Sequence, residues 1–136
     1  MPRSFEVSAI GHVQSPLTDR DQAPLQGDEG APAAWIVFEP DVRAAWRDIE
    51  VGAALTILTF LDRGDRSVLV VHPRGDTTRP EQGVFTTRSP DRPNPIGLHD
   101  VRVLDIGTDR ILVSDLEAID GTPVLDVKPV LRANGR

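Results

Sequence analysis

The stretch DVRVLDIGTDRILVSDL, residues 100–116, indicates most clearly what kind of fold the chain adopts. Two apolar runs, residues 100–106 and 110–116, flank the short sequence Gly107-Thr108-Asp109. Glycine and aspartate are typical of tight turns, and a short turn joins strands that are antiparallel neighbours. The stretch therefore predicts a β-hairpin.

Residues 54–72 repeat this arrangement on the N-terminal side. Apolar, β-branched runs at residues 54–61 and 67–72 flank the turn-rich pentapeptide DRGDR at residues 62–66. The same argument predicts a second hairpin whose tip lies in solvent.

Shorter apolar runs complete the series of elements. Residues 5–13, 34–38, 83–88 and 124–127 predict further strands, residues 41–47 predict one or two helical turns, and residues 15–32 predict a long loop. About eight strands without strand–helix–strand alternation favour an all-β antiparallel barrel or sandwich with long loops and little helix. We expect one domain over residues 1–136.

Composition excludes several classes of protein. The chain has no cysteine, so disulfides, thiolate nucleophiles and cysteine-built metal sites are ruled out. Its 15 basic and 21 acidic residues give a net charge of −6, which disfavours a broad nucleic-acid-binding face. Three scattered histidines show no metal-ligand spacing. Without a long apolar run or a visible secretory signal, we expect a cytoplasmic protein with no metal and no membrane partner.

Two segments carry candidate chemistry, and the first is GVFTTRSPDRPNPIGL at residues 83–98. Arg88 and Arg92 lie four residues apart in a proline-stiffened loop, which loses little entropy when it becomes ordered on binding. Their guanidinium groups suit a carboxylate or a phosphate. A rigid corner between two strands, with both arginines paired to acids, is the alternative.

The second segment is LEAIDGTPVLDVKP at residues 116–129. Residues 120–123 have the composition of a turn, and Asp126 and Lys128 then alternate with apolar residues. Alternation puts both charges on one face of a strand. They form either a structural ion pair or a general base with an orienting partner.

These two segments, with IGHVQSP at residues 10–16, resemble three signatures of the TsaA-like family, whose best-known members are the TrmO tRNA methyltransferases. The resemblance runs from Ile10 to Leu131. It implies a small antiparallel β-barrel, usually a homodimer, that binds S-adenosylmethionine without a Rossmann fold. It also implies methylation of N6 of N6-threonylcarbamoyladenosine beside the tRNA anticodon.

The resemblance also implies which residues contact the cofactor. Six match the family pattern: Arg88, Leu98, Asp120, Gly121, Thr122 and Pro123. A Pro-Arg-Gln contact of the family corresponds to Pro24, Leu25 and Gln26, and a His-Gln contact to Asp62 and Arg63. These departures replace an arginine and a histidine, although backbone contacts survive such changes.

The remaining site residues are assigned from residue type and placement. We expect Asp126 to act as the base or its orienting partner, with Lys128 holding it or the substrate, while Arg92 and Asn94 hold the threonyl carboxylate or a phosphate. A dimer would gather Arg74, Arg79 and Arg92 along one groove. Two alternatives stay open. The first is a small-molecule methyltransferase, which is favoured by the acidic charge and by the end of this sequence at Arg136, where well-studied members continue into a C-terminal domain. The second is a non-catalytic cofactor-binding module, which the replaced contacts at Leu25, Asp62 and Arg63 favour.

Overall fold

Six antiparallel strands close into a barrel in the computed structural model, which describes residues 2–19 and 30–131. Their order around the barrel is β1-β2-β7-β6-β3-β8, and β4 and β5 form a separate two-stranded sheet. The all-β prediction is confirmed. The strands of the described residues are β1 (Gly11–Gln14), β2 (Ala34–Phe38), β3 (Ala54–Phe60), β4 (Val70–Val71), β5 (Gln82–Gly83), β6 (Ile96–Ile106), β7 (Arg110–Val113) and β8 (Pro123–Pro129).

The apolar core fills the barrel because each strand alternates between inward and outward side chains. Ile36, Ile57, Ile111 and Val124 are fully buried and belong to one hydrophobic cluster. The neighbouring positions along β3 and β6 are half-buried or exposed. This alternation gives the barrel a distinct outer face, on which the candidate chemistry lies.

The predicted helical turns are present between β2 and β3. A 3₁₀ turn, Pro40–Val42, leads into α1 (Arg43–Trp46). The indole of Trp46 stacks on Phe38 with 4.8 Å between the ring centroids and joins the buried core.

The hairpin predicted over residues 100–116 is confirmed, although its second strand ends at Val113 and not at residue 116. Strands β6 and β7 pair antiparallel, and the Gly107 N–H donates to the Arg110 carbonyl at 2.7 Å across the turn. Strand β6 begins at Ile96, earlier than predicted, because its first half pairs with β3.

The predicted hairpin between residues 54–61 and 67–72 is wrong. Strand β3 pairs with β6 on one side and with β8 on the other, so it has no edge for the following segment. Residues 67–72 supply only β4, which pairs with β5. The chain therefore leaves the barrel after β3 and returns at β6, with residues 61–95 as an excursion.

Two other strand predictions are too long. The strand predicted from residue 5 begins only at Gly11, which pairs with Phe38 at the end of β2 and with Val124 near the start of β8. Residues 2–9 are exposed. The strand predicted over residues 83–88 ends at Gly83. There the Thr86 and Thr87 hydroxyls donate back to the carbonyls of Gly83 and Val84, which favours a 3₁₀ turn over an extended strand.

The predicted loop over residues 15–32 is described only in part. Pro24, Leu25 and Gln26 lie outside the described residues. Over the ranges that are described, no helix has both the length and the apolar character needed to cross a membrane.

Candidate functional site

The antiparallel pairing brings the candidate segments to one end of the barrel. Strand β3 ends at Phe60, while β6 begins at Ile96 and β8 begins at Pro123, and both pair antiparallel with β3. The excursion 61–95 and the segment 114–122 therefore leave from the same end. This end receives Asp62 and Arg63 from one loop and residues 120–123 from the other.

Leu98 and Asp126 lie on either side of Leu58 on the outer face of the sheet. Leu58 is the register partner of Leu98 on β6 and of Asp126 on β8. Because adjacent strands are about 4.8 Å apart, roughly 10 Å separates the two outer backbones. A residue predicted to contact the cofactor and the predicted base thus share one surface.

Asp126 and Lys128 form an ion pair on this face, as their alternation predicts. The Lys128 Nζ lies 2.9 Å from Asp126 Oδ2, and the two side chains are 64% and 48% exposed respectively. The other carboxylate oxygen, Oδ1, accepts from the Val127 N–H at 2.9 Å. The carboxylate is therefore oriented by two donors and still reachable from solvent, which suits a base as well as a structural pair.

A group of side chains fastens the turn after β3 to the proline loop before β6. The Asp65 N–H donates to Asp91 Oδ1 at 2.9 Å, and the Arg66 guanidinium donates to the Pro93 carbonyl at 2.7 Å and to Asn94 Oδ1 at 3.0 Å. Asn94 thus uses its oxygen within the protein, and its amide NH₂ remains as a donor.

Gly64 allows these two loops to approach each other. A Cβ built on Gly64 would collide with the carbonyl oxygen of Pro90.

Arg66 was not predicted as a site residue. Its signal in the sequence is indirect: a loop with several prolines has carbonyl oxygens without strand partners, so it requires donors from elsewhere.

Asp65 stabilises the same turn through its own carboxylate. Its Oδ1 accepts from the Ser67 hydroxyl at 2.6 Å and from the Ser67 N–H at 2.9 Å. The hydroxyl first, and then the backbone N–H, lower the pKa of Asp65 below its usual value of 3.8, because both donors favour the charged form.

The two arginines of the proline loop have different surroundings. Arg92 donates to the carbonyl oxygens of Thr87, Ser89 and Val84 at 2.9–3.1 Å, and its guanidinium lies 5.9 Å from the centroid of the Phe85 ring. Arg92 therefore orders the loop. Arg88 is exposed and makes no hydrogen bond or ion pair with the described residues, so its guanidinium is available to a ligand.

The turn at residues 120–123 is bonded to the start of the chain. Asp120 Oδ1 accepts from the Ser15 N–H at 3.0 Å, and the Gly121 N–H donates to the Val13 carbonyl at 2.7 Å. Gly121 has a φ of +84°, which glycine adopts without strain. The Thr122 hydroxyl donates to the Ile119 carbonyl at 2.7 Å and closes the turn. Residues 10–16 and 120–123, two of the signature segments, are therefore neighbours in space.

The predicted site residues lie apart from the two depressions found beside the helical turn. Two depressions of about 200 and 360 Å³ lie beside α1, where Arg43 and Trp46 line both, and none of the predicted site residues lines either one. In residues 2–19 and 30–131, no group of three or more histidine and carboxylate side chains is arranged to hold a metal ion.

Comparison with known proteins gives consistent matches. Residues 12–134 match the family described as the tRNA-methyltransferase O N-terminal domain. An S-adenosyl-L-methionine-binding protein of Archaeoglobus fulgidus is 40% identical over 119 residues, covering 88% of this chain and 84% of that protein. A probable S-adenosyl-L-methionine-binding protein of the same organism is 40% identical over 124 residues, which are 33% of its length.

Solved structures agree with the sequence matches. TrmO from Pseudomonas aeruginosa superimposes with a TM-score of 0.75 at 26% identity, over 98% of this chain and 61% of that one. The chain therefore spans about three-fifths of that structure, and a third of the longer archaeal relative.

Proposed function

The chain belongs to the family of the tRNA-methyltransferase O N-terminal domain, and from this premise we infer that it binds S-adenosylmethionine and catalyses methyl transfer. The observation that carries the proposal is the placement of Leu98 and Asp126 on either side of Leu58, beside the loops that hold Arg88 and residues 120–123. The name of the archaeal relative that this chain covers almost fully supports the choice of cofactor.

The residues at this end of the barrel fit the cofactor. The exposed guanidinium of Arg88, which has no hydrogen-bond or ion-pair partner within residues 2–19 and 30–131, suits the carboxylate of its methionyl group. Leu98 and Leu58 offer an apolar surface to its adenosyl group. The backbone of Asp120, Gly121, Thr122 and Pro123 offers donors and acceptors, and the exposed Asp62 carboxylate, next to Arg63, suits a cation. Pro24, Leu25 and Gln26 complete the proposed contacts.

We propose that the acceptor is N6 of N6-threonylcarbamoyladenosine in tRNA. S-adenosylmethionine, when bound, supplies the methyl group as an electrophile and leaves as S-adenosylhomocysteine. Asp126 accepts the N6 proton as the new N–C bond forms, because an amide-like nitrogen is a poor nucleophile while protonated. Lys128, 2.9 Å away, orients the carboxylate and compensates its charge before the proton arrives.

Arg92 and Asn94 hold the threonyl carboxylate with the N–H donors that are not used in hydrogen bonds within the loop. Arg92 uses three of its five N–H groups on loop carbonyls. Asn94 binds Arg66 through its Oδ1, so its NH₂ makes no part of that contact. Because their partners fix both side chains, binding costs little further side-chain entropy.

A second copy of the chain would complete the site. Ile96 and Leu98 are exposed although they are large and apolar, and they lie two residues apart on the outer face of β6. Such side chains mark an interface when they adjoin one another. A two-fold dimer on this face would cover the open site and gather Arg74 and Arg79 of both subunits towards an RNA substrate.

A small-molecule acceptor is the second candidate. A net charge of −6 repels the phosphates of tRNA. A cofactor-binding module without turnover is the third, since the Lys128–Asp126 pair is also explained as a structural contact.

Calorimetry followed by a transfer assay tests the tRNA assignment against the two alternatives. We expect micromolar binding of S-adenosylmethionine to the purified chain, and of S-adenosylhomocysteine as product. Labelled cofactor is then offered tRNA that carries N6-threonylcarbamoyladenosine, and the same tRNA transcribed without the modification. Label in the first tRNA alone supports the proposal. Binding without label in either tRNA overturns the tRNA assignment, and absence of binding overturns both methyltransferase assignments.

A further inference from the structure

A chain of three hydrogen-bonded side chains lies inside the barrel, next to the candidate site but not part of it. His99 Nε2 lies 2.7 Å from Thr59 Oγ1, and His99 Nδ1 lies 2.6 Å from Glu117 Oε1. Thr59 is fully buried, His99 is 4% exposed, and the Glu117 side chain is 16% exposed. Polar side chains at such depth require mutual partners, and these three supply them to one another.

The order hydroxyl, imidazole, carboxylate is that of a nucleophilic triad, but the geometry excludes that role. The Thr59 hydroxyl faces the barrel interior with no exposed surface, so no substrate reaches it. Any contribution of this cluster to function therefore acts through the elements that it joins.

The cluster joins three elements that carry the candidate cofactor contacts. Thr59 belongs to β3, His99 follows Leu98 on β6, and Glu117 precedes Asp120 by three residues in the segment 114–122. Backbone bonds fasten that segment to the other side of the barrel, from Asp120 to Leu17 at 2.6 Å and from Gly121 to Val13 at 2.7 Å. At its start, Ser114 is bonded to Arg102 of β6, since its hydroxyl accepts from the Arg102 N–H at 3.0 Å and its N–H donates to the Arg102 carbonyl at 2.9 Å. Among the described residues, the Glu117–His99 bond is the further side-chain link to β6, closer to the turn at residues 120–123.

Gly97 shows how closely this cluster is fitted to the strand. A Cβ on Gly97 would collide with Thr59 Oγ1 and would stand 2.7 Å from His99 Nε2. The polar pair thus lies directly against the backbone that leads into Leu98, so a shift of His99 is transmitted to that backbone.

We propose that the Thr59–His99–Glu117 cluster sets the position of the turn at residues 120–123 relative to Leu98, which makes His99 and Glu117 positioning residues of the cofactor site. The inference rests on the proposed function, because it presumes that both parts of the site contact one cofactor. Loss of the Glu117–His99 bond removes the side-chain link between residues 115–122 and His99, while the bonds of Ser114 to Arg102 and of Gly121 to Val13 remain.

Four substitutions separate the hydrogen bonds from the volume of the side chains. Glu117→Gln keeps an acceptor for the Nδ1–H, and Glu117→Ala removes it. His99→Asn keeps a donor near the position of Nδ1, and His99→Gln keeps one near Nε2 instead. Glu39→Ala, at an exposed glutamate before the 3₁₀ turn, is the matched control.

We expect Glu117→Ala and His99→Gln to raise the Kd for S-adenosylmethionine about tenfold or more, as a misplaced contact does, while Glu117→Gln, His99→Asn and Glu39→Ala stay near wild type. At saturating cofactor, kcat should be unchanged, because the cluster touches no reacting atom. Amide hydrogen exchange should accelerate over residues 116–122 in Glu117→Ala and stay slow at Ile57 and Ile111 in the core.

The outcomes distinguish failure of the inference from failure of the proposed function. If the wild-type chain binds the cofactor and Glu117→Ala binds it equally well, the inference is overturned. If the wild-type chain does not bind it, the proposed function is overturned, and exchange alone decides whether the cluster positions the turn. Unchanged amide exchange over residues 116–122 in Glu117→Ala would then show that the cluster does not position the turn. If Glu117→Gln and Glu117→Ala weaken cofactor binding equally, the inference fails in its present form, because the charge of Glu117 and not its hydrogen bond would then determine the affinity.

Discussion

The Lys128 ammonium lies 2.9 Å from the Asp126 carboxylate, on the outer face of β8. Both side chains are about half exposed, so water and salt screen their attraction and the pair contributes little to stability. An exposed pair that stabilises little is a suitable place for a carboxylate that must exchange protons with a substrate. The catalytic proposal and the structural alternative therefore differ in activity and not in folding.

The first prediction follows from this difference. Asp126→Asn should lower the rate of methyl transfer about 10²- to 10⁴-fold, the range typical of a lost general base, and leave the Tm and the cofactor Kd unchanged. Single-turnover transfer to the modified tRNA measures it. Asp100→Asn is the control, because Asp100 lies on the same face and accepts from the Thr56 hydroxyl at 2.9 Å. Unchanged rates in both Asp126→Asn and Lys128→Ala would refute the assignment.

The second prediction concerns the contact of Gly64 with Pro90. Gly64→Ala should push the turn after β3 away from the proline loop, since its Cβ would collide with the Pro90 carbonyl oxygen. We expect a loss of roughly 1–3 kcal/mol in the free energy of unfolding, as overpacking typically costs, together with weaker cofactor binding. Gly83→Ala is the control because a Cβ there meets no atom within 4 Å. Denaturant unfolding of both variants should separate them, and equal stability would contradict the contact.

Local sequence patterns predicted where the strands lie better than which strands pair with each other. Alternation located β3 and the β6–β7 hairpin, since a period of two needs only neighbouring residues. The partners of β3 are some 40 and 70 residues away in sequence, and the turn-rich segment 62–66 favoured a local hairpin instead. Which strands pair is decided by burial across the whole barrel, which no local window contains.

The candidate site shows the same division. Alternation predicted correctly that Asp126 and Lys128 share a face. That Leu98 lies across Leu58 from Asp126 depends on the order of strands, and that Arg92 orders its own loop depends on three carbonyl oxygens whose direction the sequence does not encode. Residue type suggested that both Arg88 and Arg92 bind a ligand, and only the fold shows that the two arginines have different surroundings.

The third prediction tests that separation. Arg88→Gln should weaken S-adenosylmethionine binding about tenfold, by removing a charge-assisted contact, and leave the Tm unchanged. Arg92→Gln should lower the Tm and speed proteolysis within residues 84–92, because three loop carbonyls lose their donor. Calorimetry and limited proteolysis of the two variants measure both effects. If Arg92→Gln instead weakened cofactor binding and left the Tm and the proteolysis unchanged, the loop would keep its shape without Arg92 and the prediction would be wrong.

The fourth prediction is a pH dependence. The Ser67 hydroxyl and N–H lower the pKa of Asp65 below its usual value of 3.8. The ionised carboxylate therefore stabilises the folded turn at any pH above 3.8. That contribution is lost as the pH falls from 3.8 through the lowered folded value. We expect Asp65→Asn to reduce the drop in Tm between pH 5 and pH 3 (approximate limits set by ordinary carboxyl titration). Asp48→Asn, at an exposed carboxylate 3.8 Å from the Arg47 guanidinium, is the control, and identical acid profiles in wild type and Asp65→Asn would contradict the prediction.

The fifth prediction concerns the apolar outer face near the start of β6. Ile96 is exposed there, beside its register partner Phe60 on β3, and a cation on this surface would be buried without a partner if a second copy covered it. Ile96→Arg should therefore convert a dimer to a monomer in sedimentation velocity and weaken cofactor binding with it, because the open site loses its cover. Leu104→Arg places the same charge on an exposed leucine further along the same strand, and we expect it to remain dimeric. A wild-type chain that sediments as a monomer yet binds the cofactor would show that one barrel forms the whole site.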